Sequence, residues 1–462
     1  MLELIVLGAF SAALLLCAAL GISVLYALIF GYILFAGYAF KKHYTAAEIA
    51  QMSLQGINTV KNILIVFMLI GMLTAVWRAA GTIPLLVTFS AGLIVPSAFF
   101  LVVFLLNCLV SVLTGTAFGT AATSGVICMA MAAGAGMNPV YTGGAILSGI
   151  FFGDRCSPMS TSALLVSELT ETDIFDNIKN MVKTSVVPFA AVCVLYLLMG
   201  LNSAGSLFDS VQLSLLRGSF KLHWVTALPA ALVIILSLSR INVKRTMMAS
   251  ILAASFICLS VQGNTPEELL RFLIFGYRVP EPELAVMMNG GGILSMVKVS
   301  LIVCISSSFS CILEKTGILF GIKKKIGRLG ERVTPYGGAL LTSLPASMAA
   351  CNQTLGIILT YQLCKDITDD KKELAIYLEN SAVIVAPLVP WSIACAVPLA
   401  AISAPETAGC ILTAFYLYLL PAWNMICSRR RMNHGAYQTV QSAGEPLHYD
   451  SGRGCIKTEG DY

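Results

Sequence analysis

The stretch SGIFFGDRCSPMSTSALLVSE, residues 148–168, puts one carboxylate, Asp154, into an otherwise apolar region. Gly153 precedes it, Pro158 follows, and Ser157, Ser160, Thr161 and Ser162 supply hydroxyls. A continuous membrane helix has no use for this combination. A helix that breaks between Gly153 and Pro158 frees backbone carbonyls. Together with a carboxylate and hydroxyls, these can replace the water shell of a small hard cation. A carboxylate that holds either a proton or a cation is the simplest exchanger. The competing reading makes Asp154 and Arg155 a structural ion pair at a membrane edge.

Outward from this stretch, the composition fixes the solvent. Of 462 residues, 57% are hydrophobic and 11% charged, whereas soluble domains carry about a quarter charged residues. A mean hydropathy of +0.83 points to lipid as the surroundings. The net charge of +5 is modest and gives no reason to invoke nucleic acid. The fourteen cysteines include no CxxC pair, and those inside apolar runs, such as Cys17, Cys108, Cys128 and Cys304, read as small buried hydrophobes. Four histidines at span edges or in the tail make a metal centre improbable. There is no HExxH and no GxSxG with a partner histidine, so an enzyme is not expected, and no cofactor.

Spans of about 20 apolar residues place a chain across a bilayer. The first 40 residues hold two, turning near Gly21, and others centre on 61–80, 181–200, 222–239, 246–261 and 292–313. The fold expected is an all-α polytopic membrane protein of roughly 11–14 membrane segments. Clusters at Lys41-Lys42, Arg240–Arg245, Lys323–Arg332 and Arg429–Arg431 orient it by the positive-inside rule, with both termini cytoplasmic. The proline-containing stretch 262–290 then lies outside.

The two halves match weakly but in order. GINTVKNILIV (56–66) pairs with GILSMVKVSLIV (292–303), and WRAAGTI (77–83) with LEKTGIL (313–319). LTGTAFG (113–119) falls opposite CNQTLG (351–356), and RCSPMS (155–160) opposite VAPLVP (385–390). The helices carrying Lys61 and Lys298 are expected to run in opposite senses. Two inverted-topology repeats with broken helices or re-entrant hairpins follow. The expected division is an N-terminal helical pair (1–55), a first repeat (56–200), connecting helices and an outside loop (201–290), a second repeat (291–427) and a disordered cytoplasmic tail (428–462).

Charge and polarity inside lipid are costly and mark function. Besides Asp154, Ser157, Ser160 and Thr161, the candidate ion- and substrate-binding residues are Thr114 and Thr116, then Asn352, Gln353 and Thr354, then Glu379, Asn380 and Ser381. The dense threonines of 113–125 favour a non-helical tip, although Gly115 and Gly119 also fit a helix-packing GxxxG. Pro387 and Pro390 deny a regular helix after Ser381. Glu379 closely follows KKEL, which also fits a membrane edge.

These residues resemble the NhaC-type sodium/proton antiporter family of bacterial inner-membrane carriers. The resemblance covers about residues 55–425, through GTAFGTAATSGV (115–126), SGIFFGDRCSPMS (148–160), GGGILSM (290–296), ILEKTGIL (312–319) and LENSAVIVAPLVPWS (378–392). It implies a multi-pass protein of the cell inner membrane, with hairpins or broken helices meeting at a central site. The transported or coupling ions it implies are sodium and the proton, with Asp154 as the place where sodium is expected. Thr161, Asn352 and Asn380 stand where that family is expected to carry aspartate. A less acidic site suits a carboxylate-bearing solute, so a sodium- or proton-coupled carrier of a small organic acid or amino acid is the alternative. A channel is a third class, disfavoured by a carboxylate lying between inverted repeats. The expected partners are the lipid bilayer, a small cation and a small carboxylate solute, with homo-oligomerisation left open.

Overall fold

The computed structural model describes residues 2–19, 23–93, 96–202, 210–239, 241–279, 284–285, 288–318, 334–405 and 407–443. The turn near Gly21, Arg240, the basic segment Lys323–Arg332 and residues 444–462 of the expected tail lie outside them. Every regular element among the described residues is helical. The first half begins with α1 (Leu2–Ala19), α2 (Val24–Lys41), α3 (Ala46–Ala79) and α4 (Thr82–Leu93). It continues with α5 (Phe99–Thr114), α6 (Ala117–Gly134), α7 (Pro139–Arg155), α8 (Thr161–Thr170) and α9 (Ile174–Asn202). Connecting helices are α10 (Ser210–Ser219), α11 (Leu228–Leu238), α12 (Val243–Ser260) and α13 (Pro266–Phe275). The second half holds α14 (Val297–Thr316), α15 (Pro335–Ala350), α16 (Gln353–Cys364), α17 (Lys371–Leu388), α18 (Ile393–Ala401), α19 (Thr407–Leu412) and α20 (Phe415–Ala443).

Six helices among the described residues are long and apolar enough to cross a membrane, and α17 with α18, bent by 57°, makes a seventh. The remaining apolar stretches are divided into shorter helices, which is what glycine, proline and hydroxyl punctuation does to a membrane segment. Local signals set the boundaries. A capping box of Thr45 and Glu48 starts α3, and Thr265 with Glu268 repeats it at α13. Asn138 caps α7, with Pro139 at the first helical position.

Gly56 packs against the backbone of Ser307, and Gly71 against that of Gly292. The pairing numbers fall on one helix as they rise on the other, so α3 and α14 run antiparallel, as expected for the helices of Lys61 and Lys298. Both end on a glycine with positive φ, Gly81 at 78° and Gly317 at 64°. A β-carbon at Gly56 would sit 2.1 Å from the Ser307 carbonyl oxygen, so this approach needs glycine. Phe10, Phe35 and Phe309 stack at 5.0–5.4 Å between centroids and fasten the N-terminal pair to α14.

Two expectations need correction. Gly153 does not break its helix, because α7 continues through Arg155. A β-carbon there would lie 2.3 Å from Ser111 Cβ, so the glycine serves the α5–α7 contact, and the break falls at 156–160. The tail is not disordered from 428, because α20 stays helical to Ala443. The run SRRRMNHGAYQTVQSA holds no proline, and its Arg, Met, Gln and Ala are good helix formers.

Candidate functional site

Two hairpins and two broken helices build the site. In the first hairpin, α5 ends at Thr114, Gly115 turns the chain at φ 68°, and Thr116 caps α6 by accepting from the Gly119 amide at 3.3 Å. Thr114 and Thr120 hydroxyls meet at 3.0 Å across the tip, and Ser124 donates to Asn107 Oδ1 at 2.8 Å further down. The arms therefore run antiparallel. Residues 121–125 make a π turn, a feature frequent at functional sites.

The second hairpin has the same construction. α15 ends, Cys351 turns the chain at φ 57°, and Asn352 caps α16 by accepting from the Leu355 amide at 2.8 Å. Tyr336 and Leu363 share a cluster at its open end. Each hairpin is followed by a broken helix, α7 then α8, and α17 then α18, in which a serine caps the second piece: Ser160 and Ser392.

The two broken helices are antiparallel. Thr413, beyond the end of α18, donates to the Val140 carbonyl at the start of α7 at 3.2 Å. At the other end, Lys371 pairs with Glu171, and Lys372 with Asp176 at 2.7 Å. Lys371 holds the Glu171 carboxyl below its ordinary range by hydrogen bond and charge. Hairpin openings thus face opposite sides while their tips converge.

Asp154 sits where they converge. Its side chain is 5% exposed. Ser160 Oγ donates to Oδ1 at 3.1 Å and Ser162 Oγ to Oδ2 at 3.0 Å. The Ala117 amide, from the first tip, and the Gln353 carboxamide, from the second, also lie beside this carboxylate. Carboxylate and hydroxyl oxygens in one place form a hard-ligand set suited to a small cation.

Arg155 does not pair with its neighbour. Its guanidinium, fully buried, donates to Ser185 Oγ at 2.6 Å, Tyr416 Oη at 3.1 Å, Thr184 Oγ1 at 3.1 Å and the Met181 carbonyl at 3.3 Å, and to Asn380 Oδ1. It thereby ties α7 to α9, α17 and α20. Glu379 is fully buried too, beside Arg155 and Asp154, and neither of its oxygens has a hydrogen-bond partner. The membrane-edge reading of Glu379 is therefore wrong: α17 starts at Lys371, and eight residues of helix carry Glu379 about 12 Å inward. An unpaired buried carboxylate costs several kcal/mol unless a proton or cation neutralises it.

The other candidates divide. Thr114, Thr116 and Thr161 line a cavity of about 530 Å³ under the first tip, with Asn62, Asn242 and Lys244 opposite. Lys244 Nζ donates to Asn62 Oδ1 at 2.7 Å. Ser157 accepts from the Met159 amide at 3.3 Å. Thr354 is exposed. Gln353 also donates to the Val383 carbonyl at 3.2 Å, and Ser381 donates to the Tyr377 carbonyl. A second cavity of about 720 Å³, lined by Lys183, Thr184, Asp370, Lys372 and Asn380, reaches two groups that hold Arg155. The sequence reading left out Ser162, Arg155 and Lys244 as site residues. Ser162 belongs to the hydroxyl cluster already visible there, whereas Lys244 carries no local signal.

A profile described as the Na+/H+ antiporter family matches residues 1–164 and 149–422. The malate-2H(+)/Na(+)-lactate antiporter of Bacillus subtilis is 26% identical over 76% of this chain and 77% of its own length. The Na(+)/H(+) antiporter NhaC of Alkalihalophilus pseudofirmus is 26% identical over 80% of this chain and 82% of its own. The arginine/ornithine antiporter ArcD of Halobacterium salinarum is 25% identical over 74% of this chain and 73% of its own.

Proposed function

Since the chain belongs to the Na+/H+ antiporter family, and is thus a multi-pass membrane transporter, we propose that it exchanges sodium for protons across a bacterial inner membrane. Asp154 is the exchange site, and it takes sodium and a proton in turn. The observation that carries this reading is one buried carboxylate held by the Ser160 and Ser162 hydroxyls where both hairpin tips meet it, at Ala117 and Gln353. Hairpins that open to opposite sides and meet at their tips give that carboxylate two routes of access, and rocking one repeat against the other would expose it alternately. Sodium and the proton are cargo, and the reading needs no cofactor.

The repeats in this reading are 56–200 and 291–427, with 1–55 and 201–290 as framework. Lys41-Lys42 and Arg429–Arg431 support an orientation with both termini in the cytoplasm. The test is reconstitution into liposomes with a pH dye inside. Sodium added outside an acid-loaded vesicle should raise internal pH without any other solute. No response to sodium alone overturns the reading.

A second reading, a sodium- or proton-coupled carrier of a small organic acid or amino acid, is favoured by the 530 Å³ cavity. There the Lys244 ammonium shares the lining with Thr116, which caps α6, a setting for a carboxylate. A pH response or label uptake that requires malate, lactate or an amino acid would select it.

A further inference from the structure

The 530 Å³ cavity under the first hairpin tip has a polar inventory of its own. Lys244 is the one ionisable side chain in its lining, and no acid stands there. The ammonium brings three N–H donors. One goes to Asn62 Oδ1 at 2.7 Å, and Lys244 has no acid partner among the described residues. Asn242 Oδ1, beside it, accepts from the Lys244 backbone amide at 3.0 Å. Both carboxamide oxygens are thus occupied by Lys244, and what Asn62 and Asn242 still offer is NH2. An ammonium between two such groups is a set of donors, which attracts an anion and turns away a cation.

The rest of the wall is apolar. Ile63 and Val66 come from α3, Phe118 from α6, Val243 from α12 and Val397 from α18. A ligand made only of polar groups would leave these side chains in water. The volume is that of a site for a small organic molecule rather than a bare ion. Asp154 is absent from the lining, although Thr116 and Thr161 in it adjoin Ala117, Ser160 and Ser162. The cavity is a neighbour of the cation site and distinct from it.

We propose that this cavity binds a monocarboxylate with an apolar body, its carboxylate at Lys244, Asn62 and Asn242 and its hydrocarbon along Ile63, Val66 and Phe118. The inference rests on the carrier reading and narrows its substrate class. One ammonium matches one carboxylate. A second carboxylate would be taken from water with no cation to meet it. The α-ammonium of an amino acid would meet donors whose oxygens are already bonded. Dicarboxylates and zwitterionic amino acids are therefore excluded, and very small acids bind weakly because they leave the apolar wall uncovered.

The experiment is protection of Lys244 from an amine-reactive reagent, read by mass spectrometry on the purified full chain. Lys183, which is exposed and lines the other cavity, is the internal reference. The probes are 4-methylpentanoate, leucine, adipate and lactate; the first three have six carbons each and differ in charge. We expect 4-methylpentanoate to protect Lys244 and leave Lys183 reactive. It should act at a concentration at least tenfold below that of lactate, since each buried CH2 favours binding about fourfold. Leucine and adipate should not protect at tenfold higher concentration. Equal protection by leucine, adipate or lactate overturns the inference and leaves the carrier reading intact. Protection of both lysines alike, or of neither by any probe, overturns it too. In thermal unfolding, Lys244→Gln should lose the stabilisation by 4-methylpentanoate and Lys244→Arg should keep it; retention in Lys244→Gln counts against the site. If Lys244→Gln does not fold, protection in the unmodified protein still decides. Liposomes that exchange sodium for protons and take up none of the four probes overturn the carrier reading, whereas selective protection still establishes the site.

Discussion

Gly115 and Cys351 hold the same place in hairpins of opposite sense, and both turn the chain in the left-handed region, at φ 68° and 57°. Each is followed by a capping residue, Thr116 and Asn352, whose helix starts at the Asp154 carboxylate. Their separation along the chain equals that between Gly81 and Gly317, which end α3 and α14. The two halves therefore share a register as well as an order of elements. Only one tip uses glycine, and the surroundings explain it: a β-carbon at Gly115 would sit 2.7 Å from Met159 Cβ, in the break of α7 and α8.

That asymmetry predicts the outcome of exchanging the tip residues. Gly115→Ala meets both left-handed strain of about 1–2 kcal/mol and the Met159 collision. It should lower thermal stability in detergent and slow exchange at least tenfold. Cys351→Gly relieves strain while losing a buried thiol, so stability should stay within about 1 kcal/mol. Equal losses from both substitutions would refute the distinction.

Opposed hairpin openings predict labelling from opposite sides. Ala133 is exposed at the open end of the first hairpin, and Asp369 is exposed just before α17, beside that of the second. In a background lacking reactive native cysteines, Ala133→Cys should react with an impermeant thiol reagent added outside. Asp369→Cys should react only from the cytoplasmic face. Reaction of both from one face is incompatible with inverted halves.

The sequence exposed the break around Asp154 because a carboxylate, a proline and four hydroxyls cannot share an ordinary membrane helix. It also ordered the repeats, since Gly81 with Gly317 and LTGTAFG with CNQTLG survive as visible matches. What it hid depends on angles and on distant elements. Gly153 looked like a breaker, but its role is set by Ser111 on another helix. Glu379, a candidate ligand, also fitted a membrane edge because the length of helix from Lys371 to the interior is invisible until that helix has a direction. The partners of Arg155 come from α9, α17 and α20, and no local pattern announces them.

Acid should loosen the tie between the two broken helices. The carboxyl of Glu171 is depressed by Lys371. A depressed acid contributes stability above its unfolded value, and loses it as pH falls through the folded one. The Glu171–Lys371 contact should therefore persist through neutral pH and release only below the ordinary glutamate range of about 4.3. Carbon-13 detection of the Glu171 carboxyl reads this directly. Lys371→Gln should move the titration upward, and an unchanged midpoint would show that the pair does not form.

Ser162 and Ser157 separate a ligand from a bystander. Ser162 Oγ lies 3.0 Å from Asp154 Oδ2, whereas Ser157 Oγ faces the Met159 amide. A hydrogen bond to a charged group contributes about 1.5–3 kcal/mol. Ser162→Ala should therefore raise the sodium concentration for half-maximal exchange about tenfold or more. Ser157→Ala should leave it within about twofold. A larger effect at Ser157 would relocate the ion.

Asp154→Asn is the most direct test of the exchange site. The amide keeps the size of the side chain and can still bond Ser160 and Ser162, so the hairpin tips should stay in place and thermal stability should change little. It cannot bind a proton at neutral pH, and it offers sodium a neutral oxygen in place of a charged one. Sodium-driven pH change should fall to the level of empty liposomes at every pH from 6 to 9. Exchange that survived with an altered pH profile would transfer the cargo-binding role to Glu379. Unaltered exchange would remove Asp154 from the cycle.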